Sequence, residues 1–131
     1  MKIDAVRTDE GHPSIARVFA GTCRFSLWWC VVHVAIRAAA YGVALAATPR
    51  DRLFVEALRF DLVPQVSGAV VVALLLAGAA VVLRVFGGEP ESLALAQKER
   101  RIGRLLSGAF LVWVVEYDRV VLLYIVRWLT R

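Results

Sequence analysis

The 131-residue chain holds two cysteines, two histidines, one methionine and four prolines. Each scarcity excludes a class of protein. Cys23 and Cys30 lie seven residues apart, on one face if helical, too far along one helix to bridge and not in a Cys-x-x-Cys pair. A secreted disulfide scaffold is therefore excluded, and no cysteine chemistry is expected. The chain has no Gly-rich phosphate loop, no Gly-x-Ser-x-Gly, no His-Glu-x-x-His and no cluster of metal ligands. No catalysis is expected. It also lacks RNP, zinc-finger and helix-turn-helix patterns, so its net charge of +5 does not point to nucleic acid.

What is abundant is apolar surface. Hydrophobic residues make up 60% of the chain and charged residues 21%, against the 45–50% or so apolar content of ordinary soluble domains. The gaps between charges are as long as a bilayer is thick. Three spans are expected, at about residues 27–47, 66–86 and 106–129. At about 1.5 Å per residue, twenty-one residues cover about 31 Å, enough to cross the hydrocarbon core. The first ten residues are polar and mixed in charge, without the apolar stretch of a secretory leader, so the first span reads as a retained helix. The expected fold is all-α, a single three-span membrane domain with two short interfacial helices.

The first interfacial helix, at about 14–24, begins at the Pro13-Ser14 cap. It sets Ile15, Val18 and Phe19 against Arg17 and Arg24, and leads to the aromatic pair Trp28-Trp29 at head-group depth. The second, at about 50–62, begins at Thr48-Pro49 and sets Arg52, Glu56 and Arg59 against Leu53, Phe54 and Leu58. It should end before Pro64. Gly87-Gly88-Glu89-Pro90 breaks the chain. From Glu91 one long helix, with Gly103 as its natural bend, can run into the third span.

Orientation follows from the basic residues. Nine Lys and Arg fall in the N-terminal segment and second loop, five in the first loop and tail, and Arg37 and Arg119 lie within spans. This places the N-terminus in the cytoplasm and the C-terminus outside, in a membrane of bacterial inner-membrane type. Membrane lipids are expected partners, with Lys98, Arg100, Arg101 and Arg104 as a head-group contact.

The chemistry concentrates in five ionisable residues within the spans: His33, Arg37, Glu116, Asp118 and Arg119. Unpaired charges there cost several kcal/mol each, so such residues face protein or water and find partners. Arg37 and Glu116 each lie ten residues past the start of a parallel span, about 15 Å deep. Glu116 and Arg119 share a face, and Asp118 points about 200° from Glu116. Arg37 therefore pairs with Asp118, leaving Glu116 for Arg119, or with Glu116, leaving Asp118 for water or another subunit. An ion-paired lock weighs more than a proton or ion path, because two arginines balance two carboxylates. His33, one turn from Arg37, is expected as a hydrogen-bonded packing residue before a haem or quinone ligand, and no cofactor is expected.

Small residues recur every four positions at Ala38, Gly42 and Ala46 and at Ala69, Ala73 and Ala77, a spacing that lets helices approach closely. Together these features point to a non-catalytic integral membrane subunit that docks in a larger complex with other membrane subunits. A homo-oligomeric pore lined by Arg37, Glu116 and Asp118 is the rival reading, and a haem- or quinone-binding anchor the weaker one.

Overall fold

The computed structural model describes residues 12–47 and 52–131, and among them every regular element is helical. In chain order these are α1 (Ile15–Ala47), α2 (Arg52–Gly87), α3 (Leu93–Tyr117) and α4 (Arg119–Leu129). Two helical stretches are long and apolar enough to cross a membrane, Ile15–Ala46 and Phe60–Gly87. The third apolar run is divided between α3 and α4, and neither passes the same test of length and composition.

Ser14 stands at the N-cap of α1, its carbonyl accepting the Val18 N–H at 2.9 Å. The helix then continues for 33 residues, about 50 Å. This corrects the expected separate surface helix at 14–24: no proline and only the lone Gly21 interrupts the segment, so its residues form the first turns of α1. The second expected surface helix likewise merges with the apolar span after it. α2 runs unbroken through Pro64, so the expected stop before that residue is absent. Proline deletes one hydrogen bond to the carbonyl four residues back, and here turns on both sides carry the helix past that loss. Residues 48–51 lie outside the described residues, as do the side chains of 52–55 and 57–59 that carry the expected polar and apolar faces.

α2 ends where Gly88 takes a left-handed φ of 67° and donates its N–H to the Arg84 carbonyl at 3.1 Å. Glycine adopts that conformation without steric cost, and the bond satisfies one of the orphan carbonyls of the last turn. Ser92 then caps α3, its Oγ accepting the Leu95 N–H at 3.1 Å. α3 passes through Gly103 without interruption. Gly103 also serves close approach. A Cβ on it would lie 3.2 Å from the Thr22 backbone nitrogen and 3.3 Å from the Gly21 carbonyl carbon. The break falls at Asp118, with φ −91° and ψ 6°. Hydrogen bonds from Asp118 N to Val114 O and from Leu122 N to Asp118 O, each 2.9 Å, still link the flanking turns.

Contacts divide the chain into two units. One comprises residues up to Leu27 with Leu75–Phe110, the other Trp28–Leu74 with Leu111–Arg131. In the first, Val18 and Ala20 of α1 are buried together with Leu95, Glu99 and Ser107 of α3. In the second, Ala40 and Ala44 of α1, Ala69 of α2 and Val114 of α3 are buried. Both cores are built mainly from small side chains, which lets helix backbones come close at the cost of little buried apolar volume. α2 is barely covered: only 6% of its most apolar stretch is buried within the chain.

Candidate functional site: a buried ionic network

The second unit gathers polar side chains from α1, α2, α3 and the break before α4. The Asp118 side chain has no solvent exposure. Its Oδ2 lies 2.6 Å from His33 Nδ1, and its Oδ1 accepts from Arg37 Nε at 3.0 Å. Arg37 reaches on with Nη1 to Asp61 Oδ2 at 2.7 Å. His33 Nε2 lies 3.0 Å from Gln65 Oε1, and Gln65 Nε2 donates to the Tyr117 hydroxyl at 2.8 Å. The Tyr117 ring also packs near His33, with centroids 5.7 Å apart, and lies 5.5 Å from the Arg37 guanidinium carbon.

Helical spacing explains the convergence. His33 and Arg37 are one turn apart on α1, and Asp61 and Gln65 are one turn apart on α2. Each helix thus presents two polar groups on a single face. Tyr117 and Asp118 stand at the α3–α4 break, where the backbone dihedrals of Asp118 depart from helical values.

The Gln65 carbonyl faces His33 Nε2, and the Asp118 carboxylate faces Nδ1. Both ring nitrogens are engaged by neighbours. Among the described residues no three His, Cys, Asp or Glu side chains are grouped to hold a metal ion.

Of the residues singled out from sequence, His33, Arg37 and Asp118 come together here. Glu116 and Arg119 do not join them. They pair with each other at 3.3 Å on the outer surface, with side chains 69% and 66% exposed. Lys98, Arg100, Arg101 and Arg104 are exposed along α3, and the Arg104 guanidinium carbon stands 5.1 Å from the Phe25 ring centroid. Ala69 is buried, and Ala73 and Ala77 are half-buried. Ala38, Gly42 and Ala46 face outward, and a Cβ added to Gly42 would meet nothing within 4 Å. Within the chain α1 packs instead through Ala40 and Ala44.

Sequence reasoning misses Asp61, Gln65 and Tyr117. The signal available for Asp61 and Gln65 is their one-turn spacing beside Pro64, matching that of His33 and Arg37. It also misses a second ionic site, in the first unit. Glu99 of α3 is buried, receives Arg17 Nε at 2.8 Å and the Ser14 N–H at 3.0 Å, and Arg17 Nη1 continues to the Gly87 carbonyl at 2.7 Å. Burial pushes the Glu99 carboxyl up, but the Arg17 hydrogen bond, the Ser14 N–H and the Arg17 charge outweigh it and hold the group below its ordinary range.

Comparison of this chain with protein-family models, with curated proteins and with solved structures finds no match.

Proposed function

We propose that this chain is a non-catalytic integral membrane subunit that docks against other membrane proteins, its buried ionic network acting as a packing lock. In this reading α1 and α2 cross the bilayer. The end of α3 and all of α4, about 24 residues, make a third crossing of about 36 Å, kinked at Asp118. The uncovered apolar length of α2 supports immersion in lipid. The network supports a lock, because every charge in it is answered by another and Asp118 is closed to water.

The observation that carries the docking reading is the outward Glu116–Arg119 pair. On a membrane span, an ion pair facing lipid leaves its charges poorly solvated, whereas a neighbouring protein can complete their hydrogen bonding. Arg37 and Asp118 spend their charges on each other, so they lend no support to a pore lined by both.

A photo-crosslinking residue placed at Glu116 tests this in native membranes. Protein adducts are expected from Glu116 and lipid adducts alone from a matching residue at Leu74, which is exposed on α2. Adducts of twice the chain mass identify a second copy, and other masses a different subunit. Absence of any protein adduct at Glu116 overturns the docking reading.

A further inference from the structure

The first unit holds a groove of about 450 Å³, within the range of about 300–1,000 Å³ common for ligand sites. Its lining combines apolar and cationic side chains. On α2, Ala77, Ala80, Val81 and Arg84 follow one another at i, i+3, i+4 and i+7, and all line the groove. That face passes from apolar to cationic as it approaches the Gly88 turn. Arg24 of α1 and Arg100 of α3 join Arg84 at the same lining, while Phe25 and Leu27 add to its apolar part.

Four arginines and two glutamates line the groove. Arg17 and Glu99 neutralise each other, and Arg17 is further tied to the Gly87 and Glu89 carbonyls. Arg24, Arg84 and Arg100 remain exposed, with no ion pair or side-chain hydrogen bond among the described residues. Among the described residues that line the groove, Glu89 alone opposes them. Their positive charge lies beside an apolar wall at the Gly88 turn.

We propose that this groove binds one anionic phospholipid, its phosphate held by Arg24, Arg84 and Arg100 and an acyl chain lying along Ala77, Ala80 and Val81. A guanidinium offers paired donors in a plane, which suits phosphate oxygens better than zwitterionic head groups, where a choline cation opposes the arginines. The apolar wall distinguishes a lipid from a soluble anion. The site is narrower than the basic run of α3, because Lys98 and Arg101 do not line it. The proposal rests on the membrane reading of the chain.

The test reconstitutes the full chain into phosphatidylcholine vesicles and compares spin-labelled phosphatidylglycerol with spin-labelled phosphatidylcholine for motional restriction by the protein. Phosphatidylglycerol is expected to associate preferentially, and each of Arg24→Gln, Arg84→Gln and Arg100→Gln to reduce the preference by about fivefold. The double variant Lys98→Gln/Arg101→Gln should retain it. Ala80→Trp, which keeps every charge but fills the wall, should abolish it, and inorganic phosphate at millimolar concentration should not displace the labelled lipid. Equal association of the two lipids, a preference that follows Lys98 and Arg101, or displacement by inorganic phosphate would overturn the site. Vesicle flotation separates the two readings. A chain that floats without preference loses only the lipid site, whereas a chain that does not float loses the membrane reading and the site together.

Discussion

Arg37 holds two carboxylates at once, and the consequences of removing it differ from those of an ordinary ion pair. Arg37→Ala leaves Asp118 and Asp61 without their shared cation, and breaking a buried pair costs about 3–5 kcal/mol. Asp118→Asn in the same chain should recover part of that loss, because the uncompensated buried charge is gone. A double-mutant cycle read by unfolding in mild detergent should show strong coupling of Arg37 to Asp118, weaker coupling to the half-exposed Asp61, and none to Glu116. Coupling to Glu116 instead would contradict the network. Glu99 supplies a second test. Its carboxyl titrates below the ordinary range in the folded chain, so its contribution is complete above the unfolded value and is lost as pH falls through the folded one. Glu99→Gln should lower stability at neutral pH and flatten the acid limb of a melting-temperature profile, and an unchanged acid limb would exclude that role. Sequence alone narrows the choices for Asp118 through charge counting and helical angle. Asp61 escapes because its depth is measured from a span boundary that the continuous α2 does not respect. Gln65 and Tyr117 carry no charge, so their place beside the network leaves no cost visible in composition.

Glycine acts at the scale of whole helices, in two different ways. At Gly103 the neighbours of an added Cβ are backbone atoms of α1, which cannot swing aside as a flexible side chain can. Gly103→Ala should therefore be destabilising, by about 1–3 kcal/mol, through forced separation of the packed turns. At Gly88 there is open space, but φ is 67°, so Gly88→Ala should cost about 1–2 kcal/mol through conformation alone. Gly88→Asn should recover part of that, since asparagine tolerates the left-handed region. Thermal unfolding of the three variants separates the mechanisms, and equal losses for Gly88→Ala and Gly88→Asn would point to a steric origin. The helices themselves are legible from apolar run length and the Gly87–Pro90 break. Their joints are not. Local rules place a helix end at Pro64, whereas an established helix can continue past one missing hydrogen bond, and the close packing at Gly103 leaves no mark in spacing. The break at Asp118 has no local breaker residue, and it coincides with the ties of that side chain to His33 and Arg37.

For the whole molecule, the decisive quantity is the number of crossings. α1 and α2 alone return the chain to its starting side, whereas a third crossing by α3 and α4 places the termini on opposite sides. In the proposed three-crossing reading, the energetics of the third crossing depend on the network. Without partners, Asp118 would carry a buried charge into hydrocarbon; with His33 and Arg37 bound to it, the polar atoms are answered inside the protein. Insertion of the third segment should thus be coupled to α1. The basic residues flanking the second and third segments, Arg84 and Lys98 to Arg104, favour the α2–α3 connection on the side of the N-terminus. A reporter active only outside the cytoplasm should therefore signal when fused after Arg131 and stay silent when fused after Glu91. In the Arg37→Leu variant, the fusion after Arg131 should lose part of its signal, because Asp118 would have to enter the bilayer without its guanidinium partner. Silence of the wild-type fusion after Arg131 would reduce the protein to two crossings and place the α4 segment on the starting side. A full signal in Arg37→Leu would instead mean that the third segment inserts on its own hydrophobicity, and that the ionic network forms only afterwards.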